Sequence, residues 1–260
     1  MTLRFAANLK FLFSELSFEE RFDAAASAGF AAVEYSSPYE YTPSILRRCL
    51  DDAGLRQVLI NTRQGPMGSP TRSGLACIPG RSDDFRAVLV EGLAFATALD
   101  ACFLHVTAGI VPSGVPRDQA FATYVINLAW AADQAKTTGV RLVIEPQNPR
   151  DVPGYLLRTQ ADAAAVVRAV GSESLGVLMD FYHLQLTEGD LIGTFDRYRD
   201  LVAHIQLADP PDRGEPGSGE IGWRALLSHL RDTGYSGWIG CEYIPTGGTV
   251  QSLDWMREWK

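Results

Sequence analysis

Histidine and cysteine are both scarce in this chain, at four each in 260 residues, and each shortage excludes something. Cys49, Cys77, Cys102 and Cys241 show no Cys-x-x-Cys spacing, so no disulfide framework is implied and they read as small buried thiols of a reduced compartment. Positive charge is short as well, with 23 Lys and Arg against 31 Asp and Glu, a net charge of -8 and a pI near 5.0. A surface that tracks nucleic acid needs basic patches, so no nucleic-acid partner is expected and a small molecule fits better. No apolar run approaches the length of about 18 residues that spans a bilayer. The amino terminus enters Leu3-Arg4-Phe5-Ala6-Ala7-Asn8 without the charged start and apolar stretch of a secretory leader. A soluble, cytoplasmic protein with no membrane partner is the expectation.

What the chain has is apolar mass, 46% of its residues. That suffices for one large core, and single (β/α)8 barrels run to about 250 residues, so residues 1–260 are read as one domain. Strand and helix patterns alternate. Residues 3–9 read as strand and 18–28 as helix, with Ser17 as N-cap and Gly29 past its end. Residues 31–35 follow as strand, 43–53 as helix opened by Pro43 and closed by Gly54, and 55–61 as strand. Residues 62–80 hold three prolines and four glycines with no clear period, which reads as a lid or binding loop; its Arg63 and Arg72 could meet an anionic substrate. The pattern resumes with helix 82–98, strand 101–106 and helix 116–138. His105, near the end of that strand, is expected to be a hydrogen-bonded core residue. Strand 140–145 and helix 159–170 come next, then strands 175–180 and 201–206, helix 221–233, strand 237–242 and a last helix over 249–259. Eight such alternations predict an α/β fold, a parallel sheet closed into a (β/α)8 TIM barrel with its site at the carboxyl ends of the strands. The first strand-helix turn lacks the glycine-rich cradle of an open dinucleotide-binding sheet.

Four of the strand-like runs end in an oxygen-bearing side chain: Glu145 after Arg141-Leu142-Val143-Ile144, Asp180 after Leu175 to Met179, Gln206 after His204-Ile205, and Glu242 after Trp238-Ile239-Gly240-Cys241. A carboxylate at the end of a core strand is unfavourable unless it is paired or bound to a metal. One such acid reads equally well as a structural ion pair, but four in the second half of the chain point to a shared polar centre. Together they form an all-oxygen set with three negative charges, which suits a hard divalent cation, Mg²⁺ or Mn²⁺. Glu145 and Glu242, across a barrel mouth from each other, also suit a base and acid pair for proton abstraction beside a carbonyl. His183, three residues after Asp180, faces the same way on a helical turn. Glu34, late in the second strand, could reach the mouth, though an ion pair explains it as well.

The segments Arg4-Phe5-Ala6-Ala7-Asn8, Cys77-Ile78-Pro79-Gly80-Arg81, Ile144-Glu145-Pro146, Asp180-Phe181-Tyr182-His183, Arg213 to Glu220 and Gly237 to Tyr243 resemble the hydroxypyruvate isomerase family of the xylose-isomerase-like TIM barrels. The resemblance implies a divalent metal on Glu145, Asp180, Gln206 and Glu242, with Glu145 and Glu242 as the proton donor and acceptor. It further implies substrate contacts from His183 and Arg213, and interconversion of hydroxypyruvate and tartronate semialdehyde. Residues 61–66, Pro149 and Asp212 depart from the family's pattern, which keeps open a 2-oxo-tetronate isomerase or a ketose epimerase on the same scaffold. An abasic-site endonuclease, which needs many histidines for its zinc ions, fits less well, as does a barrel that merely binds a sugar acid. Homo-oligomerisation is left open.

Overall fold

The computed structural model describes residues 2–259. In chain order the elements are β1 (Arg4–Asn8), α1 (Glu20–Ser27), β2 (Ala32–Glu34), α2 (Pro43–Ala53), β3 (Arg56–Gln57), β4 (Leu59–Asn61), α3 (Ser82–Ala98), β5 (Phe103–His105), α4 (Arg117–Ala135) and β6 (Arg141–Ile144). There follow α5 (Gln160–Val170), β7 (Leu175–Asp180), α6 (Phe181–Thr187), α7 (Leu191–Tyr198), β8 (Val202–Leu207), α8 (Trp223–Asp232), β9 (Trp238–Cys241) and a 3-10 helix, Gln251–Glu258. All strands pair in parallel, in the order β3-β2-β1-β9-β8-β7-β6-β5-β4. The two ends of that order are halves of the expected third strand, broken at Val58. Val58 N donates to Val33 O at 2.8 Å and Tyr35 N to Leu59 O at 3.2 Å, while β4 pairs with β5 on its other side, so this broken strand shuts the sheet into a barrel.

Side chains alternate across a strand, and here the alternation separates two cores. Phe5, Val33, Ile60, Leu104, Leu142, Ile144, Met179, Ile205 and Ile239 point outward into the large core shared with the helices. Ala6, Ala32, Leu59, Val143 and Leu178 point inward and fill the barrel. Each fully buried leucine or isoleucine contributes about 2 kcal/mol, so a one-residue slip of any strand would exchange both faces and is strongly disfavoured. Two residues beyond each inward apolar position stands an inward polar one: Asn8 after Ala6, Glu34 after Ala32, Asn61 after Leu59, Glu145 after Val143, Asp180 after Leu178. His105 on β5, Gln206 on β8 and Glu242 just after β9 complete this polar layer.

The helices follow their sequence signals closely. Gly54 and Gly171 end α2 and α5 at φ 65° and 62°, the left-handed conformation that lets the last turn close, and Thr159 Oγ1 caps α5 by accepting from Asp162 N at 3.1 Å. Ser17 is not the N-cap of α1, which starts at Glu20; Ser17 instead donates to the Glu20 carboxylate through its amide and hydroxyl. The short helix α7 was not expected, and the last segment is a 3-10 helix rather than an α-helix. Among the described residues no helix is long and apolar enough to cross a membrane.

Candidate active site

The polar layer opens into a cavity of about 350 Å³ at the carboxyl ends of the strands. Glu145, Gln206, Glu242, His183, Arg213, His105 and Asn8 line it, as do Lys10 and, from the 62–80 segment, Gln64, Met67, Arg72 and Ser73. That segment holds none of the named elements. Its root is fixed, with Leu75, Ala76 and Cys77 buried, Cys77 N donating to Ala108 O and Asn127 Nδ2 to Ala76 O, both at 2.8 Å. Its tip reaches solvent, with Met67 93% exposed. Arg63 does not face the cavity: its guanidinium forks onto the Glu91 carboxylate at 2.6 and 2.7 Å over the Tyr39 ring.

Asp180 is fully buried behind this wall. Its Oδ1 accepts from Tyr182 N at 2.8 Å, capping α6, and its Oδ2 lies 3.7 Å from His183 Nε2 and 3.4 Å from Arg213 Nη2. Glu145 Oε1 is 3.6 Å from the same His183 nitrogen, and Glu145 Oε2 accepts from Gln147 Nε2 at 2.7 Å. Glu145, Asp180 and His183 thus bring ligand-type atoms within 4.8 Å of one another, a grouping that could hold a metal ion. Hydrogen bonding decides which of them fit. His183 Nδ1 faces two N–H donors of Asn148, the side-chain amide at 2.7 Å and the backbone at 3.3 Å. Asn148 cannot turn its oxygen to the ring without loss, since that oxygen accepts from Asp151 N and its amide donates to Asp151 Oδ2. Nδ1 is therefore an acceptor and the proton sits on Nε2, which makes His183 a hydrogen-bond donor into the site. Glu145 and Asp180 are then the carboxylate oxygens of that grouping, the donor type that a hard cation takes.

Glu242 is held from three sides. Its Oε1 accepts from Arg213 Nη2 at 2.7 Å, and its Oε2 from Asn8 Nδ2 at 3.0 Å and from Gln206 Nε2. Arg213 also lies over the Tyr182 ring at 4.8 Å and the Phe11 ring at 5.1 Å. It forms no hydrogen bond or ion pair with Glu215 or Glu220 of its own loop: Glu215 binds Thr246, and Glu220 accepts from Gln185. His105 is buried as expected, but its Nε2 has no hydrogen-bond partner and stands 3.8 Å from Glu145 Oε2. It is a wall of the cavity and not a satisfied core residue.

Burial dominates the electrostatics. It raises Glu145 well above the usual carboxylate range, with repulsion from Asp180 and then Glu242 adding to it. It lifts Asp180 to about 7 against the pull of Arg213, and it raises Glu242, opposed first by Arg213 and then by Lys10. Burial pushes His183 well below its ordinary value, with Arg213 and His105 adding to the shift, and takes His105 to about 3. Strongly displaced acids and bases around one cavity are the usual sign of a working site.

A closed parallel barrel with displaced acids at the carboxyl ends of its strands is the architecture of a TIM-barrel enzyme. Residues 22–259 match the model of the xylose isomerase-like TIM barrel, and the chain belongs to that family. Over nearly its whole length it is similar to proteins named as isomerases. It is 43% identical to the 2-oxo-tetronate isomerase of Cupriavidus necator, over 98% of this chain and 97% of that one. It is 38% identical to the hydroxypyruvate isomerase of Escherichia coli, over 99% and 100%. Among solved structures, that of AP endonuclease, family 2, from Brucella melitensis superposes with a TM-score of 0.96 at 38% identity, covering 100% of both chains.

Proposed function

We propose that this protein is a metal-dependent isomerase of small 2-oxo acids that interconverts hydroxypyruvate and tartronate semialdehyde, 2-hydroxy-3-oxopropanoate, through an enediolate. The observation behind the reading is the convergence of Glu145, Gln206 and Glu242 on one cavity, with Asp180 held behind them by His183 and Arg213. One glutamate takes a proton from the hydroxymethyl carbon, the other returns a proton to the neighbouring carbon, and the hydroxyl proton passes from the C3 oxygen to the C2 oxygen, so that carbonyl and hydroxyl exchange places without net redox change. His183 donates its Nε2–H to a substrate oxygen. A divalent cation, Mg²⁺ or Mn²⁺, on Glu145, Asp180, Gln206 and Glu242 would polarise the carbonyl and offset the charge that develops. The substrate carboxylate goes to Lys10 and Arg72, which line the cavity and form no ion pair among the described residues, whereas Arg213 is already engaged by Glu242 and Asp180.

The 43% identity to a 2-oxo-tetronate isomerase favours a four-carbon acid as the second reading, with the same chemistry. The endonuclease reading has the Brucella structure's name behind it, but among the described residues the cavity is lined by two histidines only, His105 and His183, and the net charge is -8. The deciding experiment supplies metal-stripped protein with Mg²⁺ or Mn²⁺ and follows hydroxypyruvate and 2-oxo-tetronate by proton NMR, alongside a nicking assay on an abasic duplex. Turnover of either acid supports the isomerase class and identifies the substrate. Nicking without turnover refutes it.

A further inference from the structure

Beneath the cavity lies a carboxylate for which the reaction as proposed has no use. Glu34, on β2, is fully buried, yet its side chain accepts from three donors: His204 Nε2 at 2.7 Å, Gln206 Nε2 at 2.7 Å and Asn8 Nδ2 at 3.0 Å. Two of these, Asn8 and Gln206, line the cavity, and both also donate to Glu242 Oε2. Two carboxamides therefore stand between two carboxylates, Glu34 and Glu242. A carboxamide has two N–H bonds and one acceptor oxygen. With both Gln206 hydrogens spent on Glu34 and Glu242, its oxygen is the one polar atom left, and among the described residues it accepts nothing. A flipped amide would set that oxygen against two carboxylates, so the orientation is determined by charge.

Space for this arrangement is provided by Gly240 on β9, in register with Gln206 on β8. A Cβ there would lie 2.2 Å from Glu34 Oε1, so any side chain at 240 would displace the carboxylate. On the far side, His204 is fixed by its own pairing. Its Nδ1 is buried without a partner, which leaves the proton on Nε2, where it donates to Glu34.

We propose that Glu34 is a positioning residue of the site: it locks the Gln206 carboxamide with its oxygen toward the cavity, and so makes Gln206 a ligand and not a donor there. The inference rests on the reading that Gln206 takes part in holding the cation. It also accounts for an amide at this strand end, since a glutamate at 206 would face both Glu34 and Glu242 and would repel them.

The test uses metal-stripped protein, Mn²⁺ titrated by calorimetry, and NMR exchange rates of the Gln206 side-chain NH₂. Glu34→Met keeps the length and removes the acceptors. It should weaken Mn²⁺ binding by roughly 10- to 100-fold, the usual effect of losing a group that orients a ligand, and should speed exchange of the Gln206 NH₂, while unfolding in chelator stays cooperative. Unchanged Mn²⁺ affinity together with unchanged exchange would overturn the proposal. Should Glu34→Met fail to fold, Gln206→Glu is compared with the double variant Glu34→Gln/Gln206→Glu, in which donor and acceptor trade places. Recovery of Mn²⁺ binding in the double variant supports the assignment, and no recovery overturns it. Wild-type protein that binds no Mn²⁺ refutes the metal reading above, and the exchange rates then decide the role of Glu34 by themselves.

Discussion

Arg213 Nη2 donates to Glu242 Oε1 at 2.7 Å and stands 3.4 Å from Asp180 Oδ2, so one guanidinium bridges the ends of two strands, β7 and β9. Its backbone is at φ 59°, a left-handed conformation, and is secured there by Ile244 N, which donates to Arg213 O at 2.8 Å. The sequence suggested a substrate grip for this residue; the geometry makes it first the counter-charge of two buried acids. Burial works against its charge, but Glu242, Asp180 and Glu145 hold its pKa above the ordinary arginine value.

Removing it should therefore affect stability as much as activity. Arg213→Ala leaves Glu242 and Asp180 without their cation, and an uncompensated buried pair typically loses about 3 kcal/mol. Urea unfolding in chelator should show that loss. Saturating Mn²⁺ should recover more stability in the variant than in wild type, because it supplies the missing charge. Equal stability of variant and wild type in chelator would show the bridge to be incidental.

The buried acids set a pH dependence whose sign follows from their shifts. Asp180 rises from an ordinary 3.8 to about 7, and Glu145 and Glu242 are raised too. Between about pH 4 and 7 these three acids thus hold more protons in the folded chain than in the unfolded chain, so in chelator their contribution to stability should fall as pH rises through that window. His105 and His183, held neutral by burial, contribute in the opposite sense. A cation requires the three acids deprotonated, so its apparent affinity should rise over the same range, with protons released on binding. At 100 times Kd it should add about 2.7 kcal/mol, measured as a shift in Tm. Asp180→Ala should abolish that shift. A Tm indifferent to metal and chelator at pH 8 would remove the cation from the account.

Much of this is legible in the sequence. The bounds of α2, α3 and β7 follow from Pro43 and Gly54, from the apolar face of residues 82–98, and from an unbroken apolar run into Asp180. The four acidic or amide strand ends were visible because each follows a clear apolar run. Asn8 and Asn61 belong to the same inward layer, and counting two residues on from Ala6 and Leu59 could have found them; Glu34 and His105 are singled out by the sequence, Glu34 as an ion pair or a group near the mouth and His105 as a core residue. That count fails by eye on short strands such as Leu59–Asn61, where three residues give no period. Arg63 was out of reach for another reason. Its pairing with Glu91 joins a loop to a helix 28 positions away, and nothing local in the chain encodes it.

In the proposed function the substrate's charge is read through Lys10 and Arg72. Both lie on the cavity wall without an ion pair among the described residues, so their charge is available to a carboxylate. A charge-assisted hydrogen bond is worth about 2 kcal/mol, so Arg72→Ala should raise KM for hydroxypyruvate roughly 30-fold with kcat less affected, and Lys10→Ala should act in the same direction. A neutral ketose, if turned over at all, should be indifferent to both changes. An unchanged KM for the acid in both variants would return the carboxylate to Arg213.

The mechanism itself is tested at Glu145 and Glu242, which follow β6 and β9, three strand positions apart in the ring. If one abstracts the proton and the other returns it, neither can be spared. Glutamine is the informative replacement because its oxygen can still face a cation while its amide cannot exchange a proton at neutral pH. Glu145→Gln and Glu242→Gln should each lower kcat by about 10²- to 10⁴-fold, the span of general acid-base catalysis, with Mn²⁺ affinity much less changed. Both side chains border an open cavity, so a proton carried by either exchanges with solvent, and turnover in D₂O should place deuterium on the product carbon. A hydride passed directly between carbons would bring no solvent deuterium with it. Product free of deuterium after many turnovers would therefore exclude the enediolate route, even if both glutamates proved essential, and would leave them as ligands alone.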